Sequence, residues 1–140
     1  MFSIDTSTPF GARVARQLDD ELVIWLTTVA PSGTPAPTPV WFLWTGGQLL
    51  IASQPRTAKL RNLGRGDRVS TNFNATFHGG EVGVLTGSAA IDEAGFTDEE
   101  RAAYTTKYAE HIAGLGMSAD EFHKSYSVLI RITPDKLRGF

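Results

Sequence analysis

Along the chain, apolar residues first recur at helical spacing: Phe10, Val14 and Leu18 form one stripe within STPFGARVARQLDD. Thr8 is placed to cap that helix and Pro9 to take its first position. The pattern then changes. ELVIWLTTVA is dense in β-branched and aromatic residues and meets the turn signal PSGTP, which predicts a strand and a hairpin. PAPTPVWFLW predicts one apolar extended segment, and TGGQ turns the chain into the strand LLIAS. RVSTNFNA and VGVLTGSAAI predict two further strands around the loop TFHGGE, with Gly83 and Gly87 spaced as bulge or close-approach positions. TDEERAAYTTKYAEHI opens on a capping box, Thr97 with Glu100, and SADEFHKS repeats the device with Ser118 and Glu121. YSVLIRITP is the last predicted strand, stopped by Pro134. Six strands with short antiparallel connections and few helices predict a mainly β chain, a β-barrel with helical additions.

Length and charge narrow what such a barrel could do. The 140 residues suit one domain spanning 1–140. A formal net charge of −2 argues against a dedicated nucleic-acid binder. With no cysteine there is neither a disulfide framework nor thiolate chemistry. His78, His111 and His123 lack metal-ligand spacing, so no metal site is expected. No apolar run is long enough for a membrane span, and the first residues lack the pattern of a signal peptide, so a cytoplasmic location is expected. The ratio of nine arginines to four lysines is of the kind found in GC-rich bacterial genomes.

Against that acidic balance, SQPRTAKLRNLGRGDRV holds five of the thirteen basic residues: Arg56, Lys59, Arg61, Arg65 and Arg68. If Ser53 caps a helix with Pro55 and Arg56 in its first turn, Leu60 and Leu63 define its buried face. Arg56 then falls on the inner side, Lys59 at its edge, and Arg61 outside. Two readings follow. One is a phosphate site built from a serine hydroxyl, backbone N–H groups and two inward cations. The other is an amphipathic surface helix with solvated arginines.

PAPTPVWFLW poses a similar choice. Pro35, Pro37 and Pro39 remove every second N–H from one side of a strand. Such an edge is either blunted against aggregation or lies beside a flat ligand that uses the backbone of Thr38, Val40 and Trp41. The titratable candidates His78, Tyr104, Tyr108 and Tyr126 single out no catalytic acid or base.

TPVWFLWTGGQLLIASQPRTAKLRNLGRGDRV resembles the matching segment of pyridoxamine 5′-phosphate oxidase-like split β-barrel proteins. There, a strand and a K-x-x-N-L helix lead into D-x-R-V. The resemblance covers about residues 10 to 92 and is strongest to the actinobacterial flavin/deazaflavin oxidoreductases that use coenzyme F420. It implies a six-stranded antiparallel split β-barrel of the FMN-binding type, and a homodimer with cofactor in a groove between subunits. It places Pro37, Thr38, Pro39, Val40 and Trp41 beside the ring system. Ser53, Arg56, Thr57 and Lys59 would hold the phosphate, with Arg61 and Arg65 attracting a deazaflavin's glutamate tail. The implied activity is hydride transfer from reduced F420 to a small unsaturated substrate. The alternatives are an FMN enzyme, or a carrier or sensor for flavin, deazaflavin or haem. Pyridoxamine phosphate oxidation itself is not expected, because DKLRGF offers no counterpart to that enzyme's further C-terminal residues.

Overall fold

The computed structural model describes residues 2–140. Helix α1 (Pro9–Asp20) starts as the sequence predicts: Thr8 Oγ1 accepts a 3.0 Å hydrogen bond from the Gly11 N–H, and Val14 and Leu18 are fully buried. Strands β1 (Ile24–Val29) and β2 (Pro35–Val40) form the expected hairpin, followed by β3 (Leu43–Thr45) and β4 (Gln48–Ser53). Then come α2 (Ala58–Leu63), β5 (Arg68–Asn72), β6 (Gly83–Asp92), α3 (Asp98–Gly114), α4 (Ala119–Ser125) and β7 (Val128–Gly139). The strands make one antiparallel sheet in the order β2-β1-β5-β6-β7-β4-β3, the curled, open sheet of a split β-barrel.

The described residues form seven strands, not six, because PAPTPVWFLW is broken at Trp41–Phe42. The Phe42 N–H donates to the Tyr108 hydroxyl at 2.8 Å, and its carbonyl accepts from Lys107 Nζ at 2.9 Å. Helix α3 thus takes the backbone groups that a continuous strand would give to its neighbours. The last strand also departs from expectation, running through Pro134 to Gly139. Its register against β6 slips between Thr86 and Gly87, leaving Asp135 as an extra residue, and this bulge absorbs the donor that proline lacks. Gly87 is a close-approach position, since a Cβ there would lie 2.2 Å from the Thr133 carbonyl oxygen. Gly83 is not; its added Cβ would meet Val14 at an ordinary 3.4 Å.

Two apolar clusters lie on opposite faces of the sheet. One joins α1 to Ile24, Leu26, Phe42, Leu49, Ile51, Ile130 and Ile132. The other packs Tyr104, Tyr108, Ile112 and Phe122 from α3 and α4 on Leu43, Leu50 and Leu129. Because β4 is covered on both faces, Leu49, Leu50 and Ile51 read as a continuous apolar run rather than an alternating one. Across the second face, Arg131 of β7 is held by Asp92 of β6 and bidentately by Glu100 of α3, all at 2.7 Å.

Candidate functional site

Where the ends of β2 and β4 meet α3 and α4, the second cluster opens into a groove of about 400 Å³. One wall is Pro39, Val40 and Trp41 and another is Ala52, Ser53 and Gln54, with Tyr104, Phe122 and Tyr126 on the helical side. Thr57 and Lys59 close the end beside α2. Trp41 is held in place by stacking: its ring lies 4.7 Å from that of Tyr108 at an interplanar angle of 5°, and 5.8 Å from Phe122. A smaller depression of about 220 Å³, lined by Thr28, Pro37 and Thr38, shares Thr57 and Lys59 with the groove.

Of the eleven residues that the resemblance places at the cofactor, Pro39, Val40, Trp41, Ser53, Thr57 and Lys59 line the groove, and Pro37 and Thr38 the adjoining depression. Arg56, Arg61 and the exposed Arg65 line neither. The expected helix from Ser53 does not form. Ser53 is the last residue of β4, paired with Val128 of β7, so the chain must turn before it can become helical. Arg56 sits in that turn with φ 63°, exposed, and Thr57 is the N-cap. Arg56 is therefore not on an inner helical face. Arg61 faces outward as expected, but its guanidinium folds back to donate to the Arg56 carbonyl at 2.6 Å. Leu60 and Leu63 do pack on the core, and the buried Asn62 donates to Thr28 Oγ1 at 3.0 Å, fixing α2 against β1.

The backbone of Thr38 and Val40 is likewise not available to a ligand. Pro35, Pro37 and Pro39 stand opposite Val29, Thr27 and Trp25 and have no N–H to give. The donors of the β1–β2 ladder therefore come from Ala36, Thr38 and Val40. What faces away from the sheet is the proline side of this terminal strand.

Burial pushes the Lys59 ammonium below its ordinary range, and among the described residues no carboxylate lies within ion-pair distance of it. Tyr104 is fully buried, its hydroxyl has no hydrogen-bond partner within the described residues, and burial pushes its ionisation upward. By contrast, the Tyr108 hydroxyl is engaged with the Phe42 N–H and the Leu22 carbonyl. His123 Nε2 lies 2.9 Å from Thr105 Oγ1, and His78 stands exposed in the loop between β5 and β6. An unpaired cation at one end, an aromatic and aliphatic wall, and an orphaned phenol on the helical side suit an anionic, flat, partly polar ligand. Tyr104 could not be singled out from sequence, because nothing along α3 distinguishes it from Tyr108.

A family model described as pyridoxamine 5′-phosphate oxidase matches residues 10–140. No curated protein matches the chain. Among solved structures, an F420 reductase superposes with a TM-score of 0.66 at 21% identity, over 88% of this chain and 94% of the other. A conserved hypothetical protein from Mycobacterium tuberculosis gives 0.68 at 21% identity, over 91% and 81% of the two chains. A haem storage protein from Vibrio cholerae gives 0.68 at 16%, over 94% and 95%. At these identities the likeness is one of fold.

Proposed function

The chain belongs to the pyridoxamine 5′-phosphate oxidase family, and from that premise we propose that it is an oxidoreductase using reduced coenzyme F420, with FMN as the alternative cofactor. The observation that carries this reading is Lys59, without an ion-pair partner among the described residues, at one end of a mainly apolar groove. Lys59 Nζ with the hydroxyls of Thr57 and Ser53 would hold the phosphate, a charge-assisted arrangement in a partly desolvated place. Trp41 and Val40 would bound the ring system, with Phe122 and Tyr126 continuing the aromatic wall on the helical side. When bound, the deazaflavin supplies a hydride from its central ring carbon to a small unsaturated acceptor such as an enone, alkene or tetrapyrrole. The chain's part is to orient and desolvate; we assign no residue as proton donor, and the proton comes from solvent. The site is completed in a homodimer, in which a second copy covers the open side of the groove beside the unpaired β2 edge.

The haem-storage fold neighbour supports a second reading, a cofactor carrier without turnover. Titration of the purified protein with F420, FMN and haem, followed by mixing reduced F420 with a panel of enones and biliverdin, separates the two. The oxidoreductase reading expects tightest binding of F420 and oxidation of the reduced form by at least one acceptor. Binding without turnover by any acceptor would favour the carrier, and binding of no flavin or deazaflavin would overturn the proposal. Light scattering of the loaded protein should give about twice the 15.2 kDa of the chain.

A further inference from the structure

Peptide groups along an antiparallel strand point alternately to its two sides. In β2 the side facing β1 carries Ala36, Thr38 and Val40, and the opposite side carries Pro35, Pro37 and Pro39. Since β2 ends the sheet, no strand among the described residues covers that opposite side. Its three carbonyls are therefore hydrogen-bond acceptors, and its three nitrogens offer no donor. An ordinary edge presents acceptors and donors in alternation; from Pro35 to Pro39 this one presents acceptors alone. Pro39 lines the groove, and Pro37 the depression that joins it at Thr57 and Lys59.

An edge of this kind discriminates among flat ligands. A ring nitrogen with a free lone pair, set against the proline positions, gives up its hydrogen bond to water, finds no N–H there in exchange and faces carbonyl oxygens. A ring C–H at the same position loses nothing and makes a weak contact with those oxygens. Oxidised FMN has such a nitrogen at the central ring, where a deazaflavin has C–H. We propose that the proline edge of β2 is a selectivity element that admits a deazaflavin and rejects FMN, with Pro39 as the residue that acts in the groove. This rests on the function proposed above and names the atom that the site reads.

The test compares oxidised FMN with 5-deaza-FMN, two probes that differ only at that ring position and share the phosphate. Dissociation constants come from quenching of tryptophan fluorescence. Wild type should favour the deaza analogue about tenfold, the scale of one acceptor left unpaired. Pro39→Ala returns one outward N–H and should narrow the preference to about threefold or less. Pro39→Val restores the same N–H with a strand-favouring side chain, so a stability defect in one variant does not remove the comparison. Equal binding of the two probes by wild type would overturn the inference while leaving the F420 titration to judge the function. So would a preference unchanged in both variants, leaving the prolines as protection against strand addition. If wild type binds F420 and neither probe, the edge is not what selects, and the inference falls. If it binds none of the three, the proposed function falls with it.

Discussion

The ammonium of Lys107 donates a 2.9 Å hydrogen bond to the Phe42 carbonyl and lies 3.8 Å from the centroid of the same residue's ring. With the Tyr108 hydroxyl on the neighbouring N–H, this pins the break between β2 and β3 and so sets where Trp41 stands. Burial drives the Lys107 pKa down to about 8, against the upward pull of Asp19, Asp20 and Glu21. Because the folded pKa lies below the unfolded one, the native state binds fewer protons than the unfolded chain between pH 8 and 10.5. Stability contributed by this group therefore rises with pH across that window. Denaturant unfolding of wild type and Lys107→Met should show the difference moving in favour of wild type from pH 8 upward, by about 1–2 kcal/mol once solvent screening of this partly exposed group is discounted. A difference independent of pH would refute the assignment.

Tyr104 is the converse case, a buried hydroxyl with nothing to bond within the described residues. Removing an unsatisfied polar group costs nothing and relieves a desolvation penalty of about 1–3 kcal/mol. Tyr104→Phe should therefore unfold at equal or higher denaturant concentration than wild type in the absence of cofactor. If the phenol is there for a ligand, the same variant should bind F420 about fivefold more weakly, the scale of one neutral hydrogen bond. A variant less stable when empty and unchanged in binding would show instead that the hydroxyl supports the fold.

The basic segment yields a prediction in which the cations separate. Lys59→Ala should weaken cofactor binding by about 1.5–3 kcal/mol, as for a charged hydrogen bond. Arg56→Ala should cost about 1 kcal/mol or less, because the side chain is exposed and lines no part of the groove. The two arginines act on the turn instead. Arg56→Gly, at φ 63°, should raise stability by about 1 kcal/mol through relief of left-handed strain. Isothermal titration and thermal melts of the three variants check this; equal binding losses at Lys59 and Arg56 would contradict the geometry.

How much of this was legible in the sequence depends on what sets each feature. Both capping boxes, the first helix and the hairpin are local devices, and Thr97 with Glu100 or Ser118 with Glu121 stand in the structure as they read. Part of the groove lining, Pro39, Val40, Trp41, Ser53, Thr57 and Lys59, was also named through the resemblance and through proline spacing, whereas Val23, Leu115 and Phe122 were not. The errors came where a distant partner overrides local chemistry. Nothing in PAPTPVWFLW shows that Lys107 and Tyr108 will take the backbone of Phe42, sixty-odd residues away. Nothing in SQPRTAK shows that Ser53 is spent in the ladder with Val128, which delays the helix and moves Arg56 out of it. Pro134 read as a stop because the compensating slip at Gly87 lies on another strand.

Arg131 gives the last prediction. It joins β7 to β6 through Asp92 and to α3 through both oxygens of Glu100, and Glu100 also closes the capping box of α3 by accepting the Thr97 N–H at 2.9 Å. One carboxylate thus fixes a helix start and the helix's place on the sheet, which in turn holds Tyr104 against the groove and Tyr108 on the Trp41 ring. The Arg131 hydrogen bonds bring the Glu100 pKa down from 4.5 to about 2. A carboxylate whose folded pKa is depressed contributes its stability in full above the unfolded value and loses it as pH falls through the folded one. Wild type should accordingly lose stability between pH 4.5 and about 2. Glu100→Gln should lack that part of the acid transition while being weaker at neutral pH. Arg131→Leu leaves Glu100 and Asp92 facing each other without their cation and should cost about 2–4 kcal/mol at pH 7. If chemical denaturation from pH 7 to pH 2 gave parallel curves for wild type and Glu100→Gln, the network would carry no such load.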